Sequence, residues 1–128
     1  MAVTSMNHFT ILTDDVDGTV RFYGEFLGLH PGPRPALSFP GAWLYSGDAA
    51  ILHVIGGRPK AELRAGVIDH MAFTGRDLAG TLKALESRGI AHTCRRQVTS
   101  GTWQVFFHDS NGAKVELDFD ASEIAPGR

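Results

Sequence analysis

Val67-Ile68-Asp69-His70-Met71-Ala72-Phe73-Thr74 is the stretch on which the reading of this chain turns. It is β-rich, largely apolar and bounded by turn formers, the pattern of a strand. Moved back by 62 residues, His70 onto His8, it falls on Met6-Asn7-His8-Phe9-Thr10-Ile11-Leu12. The same shift carries Val16 onto Leu78, Gly18 onto Gly80, Thr19 onto Thr81 and Val20 onto Leu82. A shift of 60 pairs Gly41-Ala42-Trp43 with Gly101-Thr102-Trp103, and one of 63 pairs Leu52-His53-Val54 with Val115-Glu116-Leu117. Two diverged copies of one supersecondary unit account for these matches.

Each copy predicts β-α-β-β-β. In the first, residues 6–12 form a strand, and Thr13-Asp14-Asp15 offers N-caps to a helix striped by Val16, Val20, Tyr23 and Leu27. Gly28 stops that helix. His30-Pro31 and the prolines at 33 and 35 predict an irregular link, followed by strands over 37–39, 42–46 and 49–55. In the second copy Leu78, Leu82 and Leu85 stripe a helix ending at Gly89. Strands are expected over 90–98, 102–108 and 113–119, with Asp109-Ser110-Asn111-Gly112 as the last hairpin turn. The expectation is one α+β domain over 1–128: a module at about 6–56, a linker over 57–66 with one helical turn at 61–64, a module at about 67–119, and a frayed tail from 121.

Composition narrows function. A net charge of −2 without a basic run gives no footprint for nucleic acid or an anionic membrane surface. Residues 1–25 lack a basic start and apolar core, so no signal peptide is expected. No uncharged apolar run reaches the roughly 18 residues that suggest a bilayer span. Cys94 is the lone cysteine and reads as a small buried hydrophobe in a strand. The expectation is a soluble, cytoplasmic protein.

Four side chains sit in matching slots: His8 and His70 on the first strand of each copy, His53 and Glu116 on the last. Strand alternation puts Glu116 with Lys114 and Asp118, away from Val115, Leu117 and Phe119. Imidazole nitrogens with a carboxylate oxygen suit Fe(II), Mn(II), Zn(II) or Ni(II). Glu116 beside Lys114 also reads as a solvated edge strand. Trp43, Trp103 and Phe106 read as a cup lining or as core, Gln104 and Arg96 as substrate contacts or a solvated face, and Tyr23 as core. No cluster of cations is evident near Glu116.

The chain resembles the vicinal oxygen chelate superfamily of glyoxalase I, bleomycin-resistance proteins, fosfomycin-resistance thiol transferases, methylmalonyl-CoA epimerases and extradiol dioxygenases. Asn7-His8-Phe9, Val20-Arg21-Phe22-Tyr23 with Leu27-Gly28-Leu29, Ile68-Asp69-His70-Met71-Ala72-Phe73 and Phe107-His108-Asp109-Ser110-Asn111-Gly112 leading into Val115-Glu116-Leu117 carry the resemblance over residues 6–119. It implies paired βαβββ modules with cupped mixed sheets, a small-molecule substrate chelating the metal through vicinal oxygens, and a homodimer. It also implies a divalent metal, with Fe(II) or Mn(II) ahead of Zn(II) or Ni(II). His8, His70 and Glu116 match the two-histidine, one-carboxylate ligands of the dioxygenases and thiol transferases. His53 as acid/base points to a dioxygenase-like reaction, and as a fourth ligand it leaves room for a lyase or isomerase. Phe106 stands where the dioxygenases often carry tyrosine, and a glyoxalase I-like lyase or epimerase working through an enediolate is the alternative. A drug-binding protein without catalysis is the third reading.

Overall fold

The computed structural model describes residues 1–2, 4–59 and 68–128. The chain divides into two compact units, Met1–Glu62 and Leu63–Arg128. The first holds β1 (Phe9–Leu12), α1 (Val16–Leu27), β2 (His30–Gly32), β3 (Gly41–Ser46) and β4 (Ala49–Ile55). The second holds β5 (Met71–Thr74), α2 (Leu78–Ser87), β6 (His92–Arg96), β7 (Trp103–His108) and β8 (Lys114–Phe119). Sheet order is β1-β4-β3-β2 in one and β5-β8-β7-β6 in the other. In each, the first strand runs parallel beside the last and the other pairs are antiparallel. The fold is therefore two βαβββ modules with mixed sheets. The linker helical turn expected at 61–64 lies outside the described residues.

The repeat extends to the helix caps. Asp15 Oδ1 accepts from the Gly18 amide at 2.9 Å, and Asp77 Oδ1 from the Gly80 amide at 3.0 Å. Thr19 and Thr81 donate their hydroxyls to the carbonyls of the same aspartates, at 2.8 and 2.9 Å. A Cβ on either glycine would lie 2.2 Å from the capping carboxylate, so the third helical position is kept bare in both copies. The copies differ at the cap itself, where Asp77 is left-handed with φ 66° and Asp15 has φ −138°. At the other end of α1, Gly28 takes φ 67°, its amide donating to Gly24 and that of Leu29 to Tyr23.

Strand alternation separates a helix-side core from a polar face. In the first unit Tyr23, Phe26, Leu44, Leu52 and Val54 are buried. In the second, Leu78, Leu82 and Leu85 of α2 are buried, as are Val105, Phe107, Val115, Leu117 and Phe119 of β7 and β8. Each such leucine or phenylalanine contributes roughly 1.5–3 kcal/mol through burial.

The first strands are shorter than the sequence reading had them, β1 and β5 beginning just after His8 and His70, and three regions differ from it further. β2 forms at His30–Gly32 and not at 37–39. It is an edge strand, where Pro31 is tolerated because no ladder needs its missing amide hydrogen. Residues 37–39 are held out of the sheet by Arg34, which donates to the Phe39 carbonyl at 2.8 Å and covers its ring. β6 ends at Arg96 because Gln97 Oε1 accepts from the amides of Thr99 and Ser100, turning the chain. The tail expected to fray is tied down: Glu123 Oε1 accepts from the Leu78 amide at 2.7 Å, Trp103 Nε1 donates to the Glu123 carbonyl, and Ala125 is buried. Among the described residues, no helix is long and apolar enough to cross a membrane.

Candidate functional site

In the second unit, β8 lies between β5 and β7, so Glu116 is on an inner strand and is 6% exposed. That removes the reading of Glu116 as a solvated edge residue. Ala72 and Phe106 are its register partners on either side. His70, immediately before β5, brings Nε2 to 2.7 Å from Glu116 Oε2, while its Nδ1 lies 2.7 Å from Asp69 Oδ2. Glu116 Oε1 accepts from Gln104 Nε2 at 2.8 Å. A neutral imidazole carries one ring N–H, so two carboxylate contacts are satisfied only by a second ring proton, a protonated carboxyl or a cation at Nε2. Asp118, two residues on, has its pKa pushed up to about 6, first by burial and then by its hydrogen bond to Glu116. Its Oδ1 is buried without a hydrogen-bond partner among the described residues.

In the first unit the corresponding slots hold His8 and His53. Thr10 and Trp43 are the register partners of His53, as Ala72 and Phe106 are of Glu116. His8 lies immediately before β1 as His70 lies before β5. Three rings stack: His8 on His53 at 3.7 Å between centroids and 15°, and Trp43 on His53 at 4.1 Å and 6°. Burial, then the neighbouring His8, lowers the His53 pKa from the ordinary histidine value, with a backbone contact at Ala50 acting the other way.

Asn7 and Asp69 are the partners that reading the histidines alone left out. Asn7 Oδ1 lies 2.6 Å from His8 Nδ1, just as Asp69 holds His70 Nδ1. With Nδ1–H donated to the preceding residue, Nε2 of His8 is the nitrogen left for a ligand, while Nε2 of His70 is turned to Glu116. The repeat shift already aligned residue 7 with 69, so the signal was present. Gln104, read as a possible substrate contact, is committed to Glu116. Arg96 is folded back, its Cζ 4.1 Å from the Trp103 ring centroid and its Nη1 donating to the Gly101 and Ala121 carbonyls. Trp43 and Trp103 part company: Trp103 faces Phe119 and is buried, so the counterpart of Trp43 is Phe106. Tyr23 is core, fully buried.

Imidazole nitrogen, a buried carboxylate and the unpartnered Asp118 oxygen fit a divalent cation in kind. Among the described residues no group of three or more His, Cys, Asp or Glu is arranged to hold one. Residues 5–117 match the Glyoxalase/Bleomycin resistance protein/Dioxygenase superfamily. The chain belongs to that superfamily. It is 32% identical to "Glyoxylase I 4" of Arabidopsis thaliana over 133 aligned positions, covering 97% of this chain and 76% of that protein. Among solved structures it resembles a glyoxylase/bleomycin resistance protein/dioxygenase domain from Frankia sp. EAN1pec, with TM-score 0.75, 17% identity and 96% of each chain covered. It also resembles lactoylglutathione lyase from Agrobacterium tumefaciens, with TM-score 0.66, 20% identity, and 93% of this chain and 96% of that one covered. At those identities the structural likeness speaks for the fold of this superfamily member.

Proposed function

We propose that this superfamily member is a metal-dependent enzyme that moves a proton on a small substrate presenting two neighbouring oxygens, a glyoxalase-type lyase or isomerase. The observation that carries the reading is the doubled arrangement: His53 and Glu116 occupy equivalent strand positions, His8 and His70 lie immediately before the equivalent strands β1 and β5, and the residue before each leading histidine holds its Nδ1. His8, His70 and Glu116 are the proposed metal ligands. His53 is the proposed acid/base, or a fourth ligand. A bound divalent ion supplies Lewis acidity to the substrate oxygens. Asn7 and Asp69 orient the ligating rings, Gln104 steadies Glu116, and His53, with its pKa lowered, takes up a proton as a neutral imidazole. The relative named as a glyoxylase supports lyase chemistry over oxygenation, and Phe106 opposite Glu116 offers no hydroxyl. A homodimer in the cytoplasm belongs to the same proposal, and sedimentation as a monomer would count against that part.

Metal content of the purified protein and lactoylglutathione formation from methylglyoxal and glutathione test the reading together. Glu116→Ala is expected to lose both metal and turnover. His53→Ala should keep the metal and lower kcat by roughly 10²–10⁴; loss of metal as well would make His53 a ligand. Full turnover in Glu116→Ala would sink the proposal. The two-histidine, one-carboxylate donor set also favours Fe(II) oxygen chemistry as a second reading. Iron in the protein with O₂ uptake on catechols, and no lyase activity, would put it first. No metal taken up and no turnover would leave a drug-binding protein.

A further inference from the structure

A hollow of about 530 Å³ opens in the second unit beside His70, lined by Thr93 and Arg95 of β6, Phe106 and His108 of β7, and Lys114 of β8. These residues lie far apart in sequence, and sheet pairing gathers them. Phe106 pairs with Thr93 on one side and Glu116 on the other, and Arg95 pairs with Gln104 one step along the same face. Three groups then surround the Phe106 ring: Arg95 Cζ at 5.2 Å, Lys114 Nζ at 5.2 Å and, edge-on, the His70 ring at 5.6 Å between centroids. This corrects the sequence reading, which found no cluster of cations near Glu116. Lys114 and His70 share one carboxylate, Asp69, with Lys114 Nζ 3.3 Å from its Oδ2. Arg95 is exposed, and no acidic partner reaches it among the described residues.

We propose that this hollow is an oxyanion subsite: Arg95 and Lys114 bind a carboxylate or phosphonate group of the substrate against the Phe106 ring, next to the His70–Glu116 pair. The geometry favours an anion over a neutral group. A guanidinium and an ammonium flank one apolar ring, and Asp69 is the one acid among the residues that line the hollow. Guanidinium offers two parallel donors to an oxyanion, whereas the ammonium acts as a point charge. The ring between them fixes the spacing and gives the apolar body of the ligand a surface. This rests on the proposed function in that it assigns the ligand as the substrate, and it narrows that substrate to an organic anion.

Phenylphosphonate and benzoate are the probes, with neutral benzamide as control, followed by amide chemical shifts of the protein prepared without metal. Both anions should move the resonances of residues 93–95, 106 and 114, weaken as salt shortens the screening length to about 8 Å near 0.15 M, and outcompete benzamide. Arg95→Gln should weaken them about ten-fold, the scale of one charge-assisted hydrogen bond, and Arg95→Lys should recover part of the loss. Lys114→Gln should weaken them too, with the dispersion of the spectrum unchanged. A stronger response to phenylphosphonate assigns a phosphonate or phosphate substrate, and a stronger response to benzoate assigns a carboxylate. Equal binding of benzamide, or unchanged affinity in Arg95→Gln, would overturn the subsite. Metal and turnover play no part in this measurement. Binding without metal uptake would sink the metal-enzyme reading and keep the subsite; metal and turnover without binding would do the reverse.

Discussion

The two units carry the same ladder register and the same helix caps, yet at one equivalent slot the first has His53 and the second Glu116. That single difference changes the physics of the face. In the second unit a carboxylate is buried and held by Gln104 and His70, drawing Asp118 into the same hydrogen-bonded group. In the first, three rings stack, and His53 is held toward its neutral form by burial and by His8. A repeat therefore conserves where side chains point while leaving open what they do. One copy holds a buried carboxylate beside a cationic hollow, the other a polarisable aromatic stack.

The sharpest way to test how alike the units are is through their helices. Leu82 and Val20 occupy repeat-equivalent positions, but Leu82 is 2% exposed while Val20 is half-buried. Leu82→Ala is expected to cost about 2–5 kcal/mol of unfolding free energy in urea titration, and Val20→Ala distinctly less. Equal losses would mean that the first helix is packed as tightly as the second. The caps give a smaller effect. Asp15→Ala should cost about 1 kcal/mol in the same measurement. Asp77→Gly should cost less than Asp15→Gly, because glycine relieves the left-handed backbone at 77 and has nothing to relieve at 15. The reverse order would show that Asp77 does more than cap α2.

The smallest effect concerns Cys94, which shares the helix-side face of β6 and pairs with Val105. Burial pushes its thiol pKa up, with Arg128 opposing. A raised pKa leaves less thiolate at a given pH, so a disulfide reagent near pH 8 should react more slowly with the folded protein than with the urea-unfolded chain. A folded rate equal to the unfolded one would show that the β6 edge opens freely.

Much of the architecture was legible because it is written in local chemistry. The alternation in β4, β7 and β8, the apolar stripe of α2, the Asp15 cap and the glycine stop at 28 each follow from residues a few positions apart. The repeat-equivalence of His8, His53, His70 and Glu116 could be read for the same reason. The aligned Trp43 and Trp103 misled because a shift counted along the chain does not know which face of a strand it lands on; the ladders put one on the polar face and the other in the core. The prolines from 31 to 35 suggested only a loop, although an edge position lets Pro31 sit in a strand.

The sequence by itself determined the two β-α-β-β-β copies, their helices with the cap of the first, and the equivalence of the four chemistry-bearing slots, since periodicity and turn chemistry act over short distances. Tertiary structure decided that Glu116 is buried on an inner strand, that Asn7 and Asp69 orient the two leading histidines, and that Glu123 ties the tail to α2. It also drew Arg95 and Lys114 around Phe106. The physical reason is that sheet pairing sets residues many positions apart side by side at roughly 5 Å, and no pattern within one strand records its neighbours.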